Sequence, residues 1–271
     1  EKMKATVLAD NIGSENLPGE WGLSIYIEAA ELNILLDCGA SSLYRQNAES
    51  LGLEIAAVDL AVLSHAHYDH ADGMADFFQH NQKAKFYLQS AAAENCYKIE
   101  ESEYKYIGMP ANILKDFAPR IQQVNGPFQL AEGIWLLPHT TPGLAEAGRQ
   151  ANMFQLCNDE WQPDDFAHEQ SLVFERPEGL VVFNSCSHGG VLNIIHEAEE
   201  QLSRPVRQMI GGFHLYQQTP QQVQALAEQL RQAGLTGIHT GHCTGDEAFV
   251  ILQQKLGPAV QQLRVGLEIE F

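Results

Sequence analysis

Apolar positions in the first part of the chain fall in short extended runs rather than at helical spacing. Leu23 to Ile27 and Leu32 to Leu36 are two such runs, separated by Ala29 to Glu31, which reads as a β-hairpin. "SSLYRQNAESLG" follows as a short helix, with Ser41 or Ser42 at its N-cap and Gly52 as its stop. "DLAVLSH" and "KAKFYLQ" read as strands on either side of a helix that begins in "ADGMADFFQHN". From about residue 120 the strands "RIQQV", "FQLA", "IWLLP", "SLVFE" and "GLVVFNS" come in sequence. "TPQQVQALAEQLRQAG" is then an amphipathic helix. Thr219 caps it, Pro220 takes the first position, Val223, Leu226, Ala227 and Leu230 recur at helical spacing, and Gly234 ends it. "TGIHT", a helix from Asp246 and "LRVGLEIEF" close the chain.

Residues 90–118, read as helix and excursion, and 139–170 are the least regular stretches. They hold Tyr97, Tyr104, Tyr106, Phe154, Trp161 and Phe166, and they are expected to act as lid-like segments of a single domain spanning residues 1–271. Strands that first meander and then alternate with helices imply mixed sheets, two packed together with helices outside.

Composition narrows the partners. With 16 Lys and Arg against 35 Asp and Glu, the net charge of −19 argues against nucleic acid and anionic membranes as partners and leaves a small-molecule substrate. No apolar run reaches the roughly 18–20 residues that span a bilayer, and "EKMKATVLADN" lacks the apolar core of a signal peptide. Cys38, Cys96, Cys157, Cys186 and Cys243 are odd in number and contain no CxxC pair, so a reduced, cytoplasmic setting is expected.

The chemistry concentrates in "SHAHYDHADG". His65 and His67 alternate at the end of an extended segment and can project to one side, and Asp69 and His70 follow in the turn. Neutral imidazoles with a carboxylate suit zinc, iron or manganese, and two neighbouring ligand sets suggest two divalent ions. A polar turn capping the next helix needs only Asp69 or Asp72 and leaves three histidines unexplained. Further donors follow apolar strands: Cys186 and His188 in "NSCSHGG", His214 in "IGGFHLY", and His239, His242 and Cys243 in "IHTGHCTG". Strand C-termini are where α/β proteins build their sites.

"HAHYDH" matches the HxHxDH signature, and with "LLDCG", "NSCSHGG", "IGGFHL" and "GHCTG" the chain resembles the metallo-β-lactamase superfamily over nearly its whole length. Within it, the chain is similar to a subgroup of dihydropterin phosphate synthase-like metal-dependent hydrolases. The resemblance implies an α/β fold, an αββα sandwich of two mixed sheets flanked by helices, with a metal site at one sheet edge. It implies a first metal on His65 and His67, and a second on Asp69, His70 and His242. "TPGL" places Leu144 where many members have a histidine ligand, and "FNSCSH" stands where many carry a bridging aspartate. His188 is taken as the replacement ligand, its other reading being a helix cap for which Ser187 is better suited. Cys186 is a candidate ligand, or equally a small buried thiol packed under the site. Asp69 and His214 are the catalytic candidates. Asp69 would orient the attacking water. His214, after Gly211 and Gly212, would contact substrate or donate a proton, or else orient a ligand. His139 and His168 are weaker candidates, and His80 and His196 read as helix-surface residues.

Two divalent ions, zinc with manganese or iron as alternatives, make hydrolysis of an ester-type bond the most economical function, with a phosphoester or related small molecule as substrate. The resemblance offers a second reaction, in which an aminobenzene-ribose phosphate is joined to a pterin diphosphate with loss of diphosphate. A di-iron redox centre, or a metal-binding protein without turnover, is the alternative from another class.

Overall fold

The computed structural model describes residues 2–271. The chain forms two compact units. Unit one contains the residues up to Asn125, Gly143–Glu169 and Arg264–Phe271; unit two contains Gly126–Pro142 and Gln170–Leu263.

Unit one opens with β1 (Lys4–Ala9), β2 (Ser24–Ala29), β3 (Leu32–Leu36), β4 (Leu60–Val62) and β5 (Lys85–Gln89). The short strands β6 (Tyr97–Glu100) and β7 (Glu103–Tyr106) follow, and then β8 (Ile121–Val124). The chain enters unit two as β9 (Phe128–Ala131) and β10 (Ile134–Pro138) and returns for β11 (Met153–Cys157) and β12 (Glu160–Pro163). Unit two resumes with β13 (Gln170–Arg176), β14 (Gly179–Phe183), β15 (Val206–Gly211), β16 (Gly237–Thr240) and β17 (Val260–Gln262); β18 (Glu268–Glu270) belongs again to unit one.

Each unit is built on one seven-stranded mixed sheet, as the order of meander and alternation implied. In unit one the order is β18-β1-β2-β3-β4-β5-β8, antiparallel as far as β3 and parallel from there. In unit two it is β17-β16-β15-β14-β13-β10-β9, parallel from β17 to β14 and antiparallel beyond. The expected hairpin is β2–β3; its turn residues Ala30 and Glu31 both take positive φ, 49° and 63°, where Asn-Gly is the usual choice. The helix Pro220–Gln232 has its capping box, Thr219 with Gln222, and buries Val223, Ala227 and Leu230.

The cores follow the same logic. In unit one Tyr44 and Ala48 of helix Leu43–Ser50 and Met74, Phe77 and Phe78 of helix Met74–His80 pack with Leu35, Ala61, Phe86 and Leu88 of the sheet. Each large side chain fully removed from water contributes about 1.5–3 kcal/mol. In unit two, helices Val191–Leu202, Pro220–Gln232 and Asp246–Leu256 cover the sheet with residues such as Ile194, Val223 and Leu252.

The stretch read as helix and excursion differs. Beside the one-turn helix Ile113–Asp116, it contains the hairpin β6–β7, which joins β11–β12 in a four-stranded antiparallel sheet of order β12-β11-β6-β7. Alternation puts Tyr97, Tyr104, Tyr106, Phe154, Leu156 and Trp161 on one face, while Lys98, Glu100, Glu103 and Lys105 lie on the other. The Tyr104 and Trp161 rings stack with centroids 3.7 Å apart and planes 2° apart, and both keep more than a third of their surface exposed. Phe166 is not part of this face; it is buried beside His168.

Candidate metal centre

The chain leaves the unit-one sheet at Leu63, whose N–H still bonds Tyr87 O, and runs straight into the histidine turn. His65, His67, Asp69 and His70 are all buried, with the His65 ring centroid 4.6 Å from His67 and 4.3 Å from His70. The capping alternative fails, because no side chain caps either helix Tyr68–Ala71 or helix Met74–His80.

One residue organises this turn, and it stands out in the sequence only as part of "LLDCG". Asp37 is fully buried at the end of β3, with positive φ of 62°. Its Oδ1 accepts from the Ser64 N–H at 2.7 Å, and its Oδ2 accepts from Ser64 Oγ at 2.6 Å and His70 Nδ1 at 2.7 Å. Ser64 Oγ has a single proton. Having given it to the carboxylate, it can only accept from His65 Nδ1, 2.6 Å away. A single carboxylate therefore fixes both rings as Nδ1–H tautomers and leaves Nε2 as the atom of each that can bind a metal, the arrangement that supports metal-binding histidines. The donor set fits divalent zinc, manganese or iron. Burial opposes charge on His70, but Asp69, with Oδ2 3.4 Å from Nε2, and Asp37 raise its pKa to about 10, so near neutral pH a metal binds there only by displacing the Nε2 proton. Burial lowers His67 to about 3 and keeps it neutral.

His168, a weak candidate from sequence, proves central. It gathers with His67, Cys96 and Asp164, all buried, their ligand atoms within 4.8 Å of one another. This group is no second metal site of that unit. The Ala66 N–H donates to His168 Nδ1 at 3.0 Å, so Nδ1 must be the acceptor and Nε2 must carry the proton. That Nε2–H points at Asp164 Oδ2, 3.1 Å away, with Cys96 Sγ at 3.7 Å, and a protonated nitrogen cannot bind metal. The consequence is a clamp: Asp164 sets the ring, and the ring holds the peptide between His65 and His67. Burial alone would raise Asp164, yet the His168 ring and the Phe166 N–H hold it down to about 2.

In unit two the parallel strands β14, β15 and β16 carry the remaining candidates beyond their C-terminal ends. Cys186 and His188 follow β14, His214 follows β15, and His242 and Cys243 follow β16. The His188 and His214 ring centroids are 4.3 Å apart. Ser187, His214 and His242 all take left-handed backbone, φ 55°, 51° and 46°, a cost of about 1–3 kcal/mol each that concentrates at functional sites. His188 is no helix cap: helix Val191–Leu202 begins from Gly190 with no side-chain cap, and Ser187 Oγ donates to Gly212 O. The Nδ1 of His214 is buried with no hydrogen-bond partner. His239 falls inside β16 and, among the described residues, belongs to no donor cluster. His139 is held by Glu197 at 3.0 Å and packs where a Gly189 side chain would stand, so it supports the loop after His188. His80 and His196 are exposed on helices, as expected.

The chain is similar to known proteins. The metallo-β-lactamase superfamily model matches residues 21–147. The crystal structure of Tm1679, a metal-dependent hydrolase of the β-lactamase superfamily, is 25% identical, covers 99% of each chain and superposes with a TM-score of 0.85. The fold protein YhfI from Bacillus subtilis and a diphosphatase of the PhnP family, each 13% identical, share the fold with TM-scores of 0.58 and 0.56. The chain resembles the metallo-β-lactamase superfamily and has its α/β fold of mixed sheets and helices. Within it, the chain resembles the dihydropterin phosphate synthase-like subgroup. A 7,8-dihydropterin-6-methyl-4-(β-D-ribofuranosyl)-aminobenzene-5'-phosphate synthase from Methanocaldococcus jannaschii is 25% identical over 100% of this chain and 97% of its own length. An uncharacterized protein of the same organism is 24% identical over 92% and 93%.

Proposed function

We propose that this protein is a metal-dependent hydrolase acting on an ester-type bond of a small molecule, a phosphoester or a related substrate. The observation that carries the reading is the Asp37 relay: a buried carboxylate that sets two imidazoles with Nε2 outward serves a metal and little else. His65, His67, Asp69, His70, His188 and His242 are the proposed ligands of two divalent ions, zinc before manganese or iron, with Cys186 a further candidate. Such ions, when bound, supply Lewis acidity toward the scissile ester and make water a nucleophile near neutral pH.

The protein's own groups supply orientation and proton handling. The Asp69 carboxylate aligns the attacking water. His214, with Nδ1 uncommitted to any protein partner, holds a proton for the leaving group. Leu144 supplies no ligand atom, so His188 takes the third position on the first ion. His67→Ala and His188→Ala should each lose at least one metal equivalent, measured by elemental analysis of the purified protein, while Cys186→Ser loses less. Full metal content in either histidine variant overturns that ligand.

The aromatic face of the small sheet supports a planar ring in the substrate. Tyr68 N–H bonds Ile107 O at 3.0 Å and His67 pairs with Gly108, so the segment that follows β7 lies against the histidine turn. Trp161→Ala and Tyr104→Ala should shift substrate preference by about tenfold or more with metal content unchanged, since a stacked ring is worth about 1–3 kcal/mol. Loss of thermal stability with unaltered preference would instead make these rings purely structural. The full-length similarity to a synthase whose name carries dihydropterin and aminobenzene favours a second reading, transfer with loss of diphosphate. A panel of p-nitrophenyl phosphodiesters, monoesters, lactones and β-lactams, run on zinc-reconstituted protein, tests the first reading. Turnover of a phosphoester is expected. Inactivity across the panel, with diphosphate released when a pterin diphosphate and an aminobenzene-ribose phosphate are supplied together, would establish the second.

A further inference from the structure

We infer that Cys186, His242 and Cys243 form a mixed thiolate–imidazole metal site within unit two, with Cys243 Sγ as a ligand that neither the motif nor the relatives' names assign. The inference rests on the metal-dependent reading above and specifies the donors around His242.

Three observations carry it. The two sulfurs and an imidazole nitrogen lie within 4.8 Å of one another, and the three residues are 2%, 3% and 1% exposed for Cys186, His242 and Cys243. Such concentration of soft donors serves no packing purpose that three small apolar residues would not serve better.

The turn that presents two of them is also fixed in advance. His242 is held in left-handed backbone at φ 46° by bonds around it. Thr244 N–H donates to Gly241 O at 2.9 Å, the Thr240 and Thr244 hydroxyls meet at 2.6 Å, and Phe213 N–H donates to Thr244 Oγ1 at 2.9 Å. The Cys243 carbonyl accepts from both Leu215 and Tyr216, at 3.0 and 3.2 Å. The backbone of Cys243 is thus tied on both sides, and its side chain has one place to go.

That place is made by a glycine. A Cβ on Gly212 would stand 2.5 Å from Cys243 Sγ and 2.7 Å from Ser185 O, so the absence of a side chain there makes room for the sulfur. The Cys243 thiol donates to Cys186 O at 3.7 Å, which brings it to the loop that carries the second sulfur.

Two thiolates with one imidazole form a known catalytic zinc set with an open fourth position. Two negative sulfurs neutralise a dication, and thiolate favours zinc over manganese, so the set points to zinc as the metal at His242.

Cobalt(II) alone, added to the reduced, metal-free full chain, tests this by absorbance without reference to activity. A near-ultraviolet sulfur-to-cobalt charge-transfer band should appear. It should fall by about half in Cys243→Ser, one thiolate of two being lost, and vanish in Cys186→Ser/Cys243→Ser with cobalt still bound through imidazoles. Circular dichroism of each variant confirms its fold, and Cys243→Ala, which cannot offer oxygen as a substitute ligand, should show the same halving. Cobalt bound without the band, or a band undiminished in folded Cys243→Ser, overturns this inference and leaves the metal-dependent reading standing. Failure to bind any cobalt overturns both.

Discussion

Asp37→Ala should lose about 3–5 kcal/mol of folding stability and bind metal roughly 10–100-fold more weakly, although Asp37 itself touches no metal. The carboxylate receives Ser64 N, Ser64 Oγ and His70 Nδ1 in a space closed to water. Removing it leaves two donors and a hydroxyl proton buried without acceptors. It also releases His65 and His70 to either tautomer, so part of the population turns a protonated Nε2 outward. Asp37→Asn separates the two effects, because it keeps volume and one acceptor but offers an amide N–H to His70 Nδ1–H. Chemical denaturation should show the alanine variant as the less stable, while metal titration should show both weakened. Wild-type metal affinity in Asp37→Asn would mean that the ring tautomers do not depend on this residue.

Asp164→Asn is expected to weaken metal binding by about 10–100-fold from outside the ligand set. The amide can still accept from Phe166 N–H and Gln155 Nε2 through Oδ1, at 2.8 and 2.6 Å in the native protein. Its NH2, however, would face His168 Nε2–H. The ring can escape only by moving its proton to Nδ1, where it meets the Ala66 N–H, and the peptide between His65 and His67 must give way. His168→Asn, whose side-chain oxygen can still accept from Ala66, should retain more affinity than His168→Leu. Equal affinity in those two variants would refute the clamp. The native pair also shapes acid stability. Asp164 is depressed from the ordinary carboxylate range to about 2, so it stabilises the fold above roughly pH 4, and this contribution is lost as pH falls through about 2. The asparagine variant should show a flatter stability profile in that window.

Legibility in the sequence followed distance along the chain. The hairpin β2–β3 and the helix Pro220–Gln232 were readable because alternation, a Thr-Pro start and a Gly stop are local signals. The β6–β7 hairpin was not. Its strands are four residues each, half of every strand is charged, and the turn at Glu101 and Ser102 adopts φ 49° and 68° without glycine or asparagine. At the site, the histidine turn announced itself because its donors sit within six positions. Asp37 acts on residues 27 and 33 positions away, and His168 on a peptide 102 positions away, and a lone aspartate or histidine carries no mark of such a partner. The approach of Cys243 to Cys186, across 57 positions, was invisible for the same reason.

The interleaving of the two units has a consequence for how the chain can be cut or assembled. Unit one is stitched from three separate stretches and unit two from two, so neither matches one uninterrupted piece of gene. No single truncation yields either unit intact, and swapping a contiguous block with a relative would carry parts of both. Folding inherits the same constraint. Lys4 and Glu268 are partners across 264 positions, so the outermost pairing of the unit-one sheet demands a long loop closure before it returns any contact energy. Such topology slows folding and leaves strand edges open in the meantime, which makes refolding yield sensitive to protein concentration.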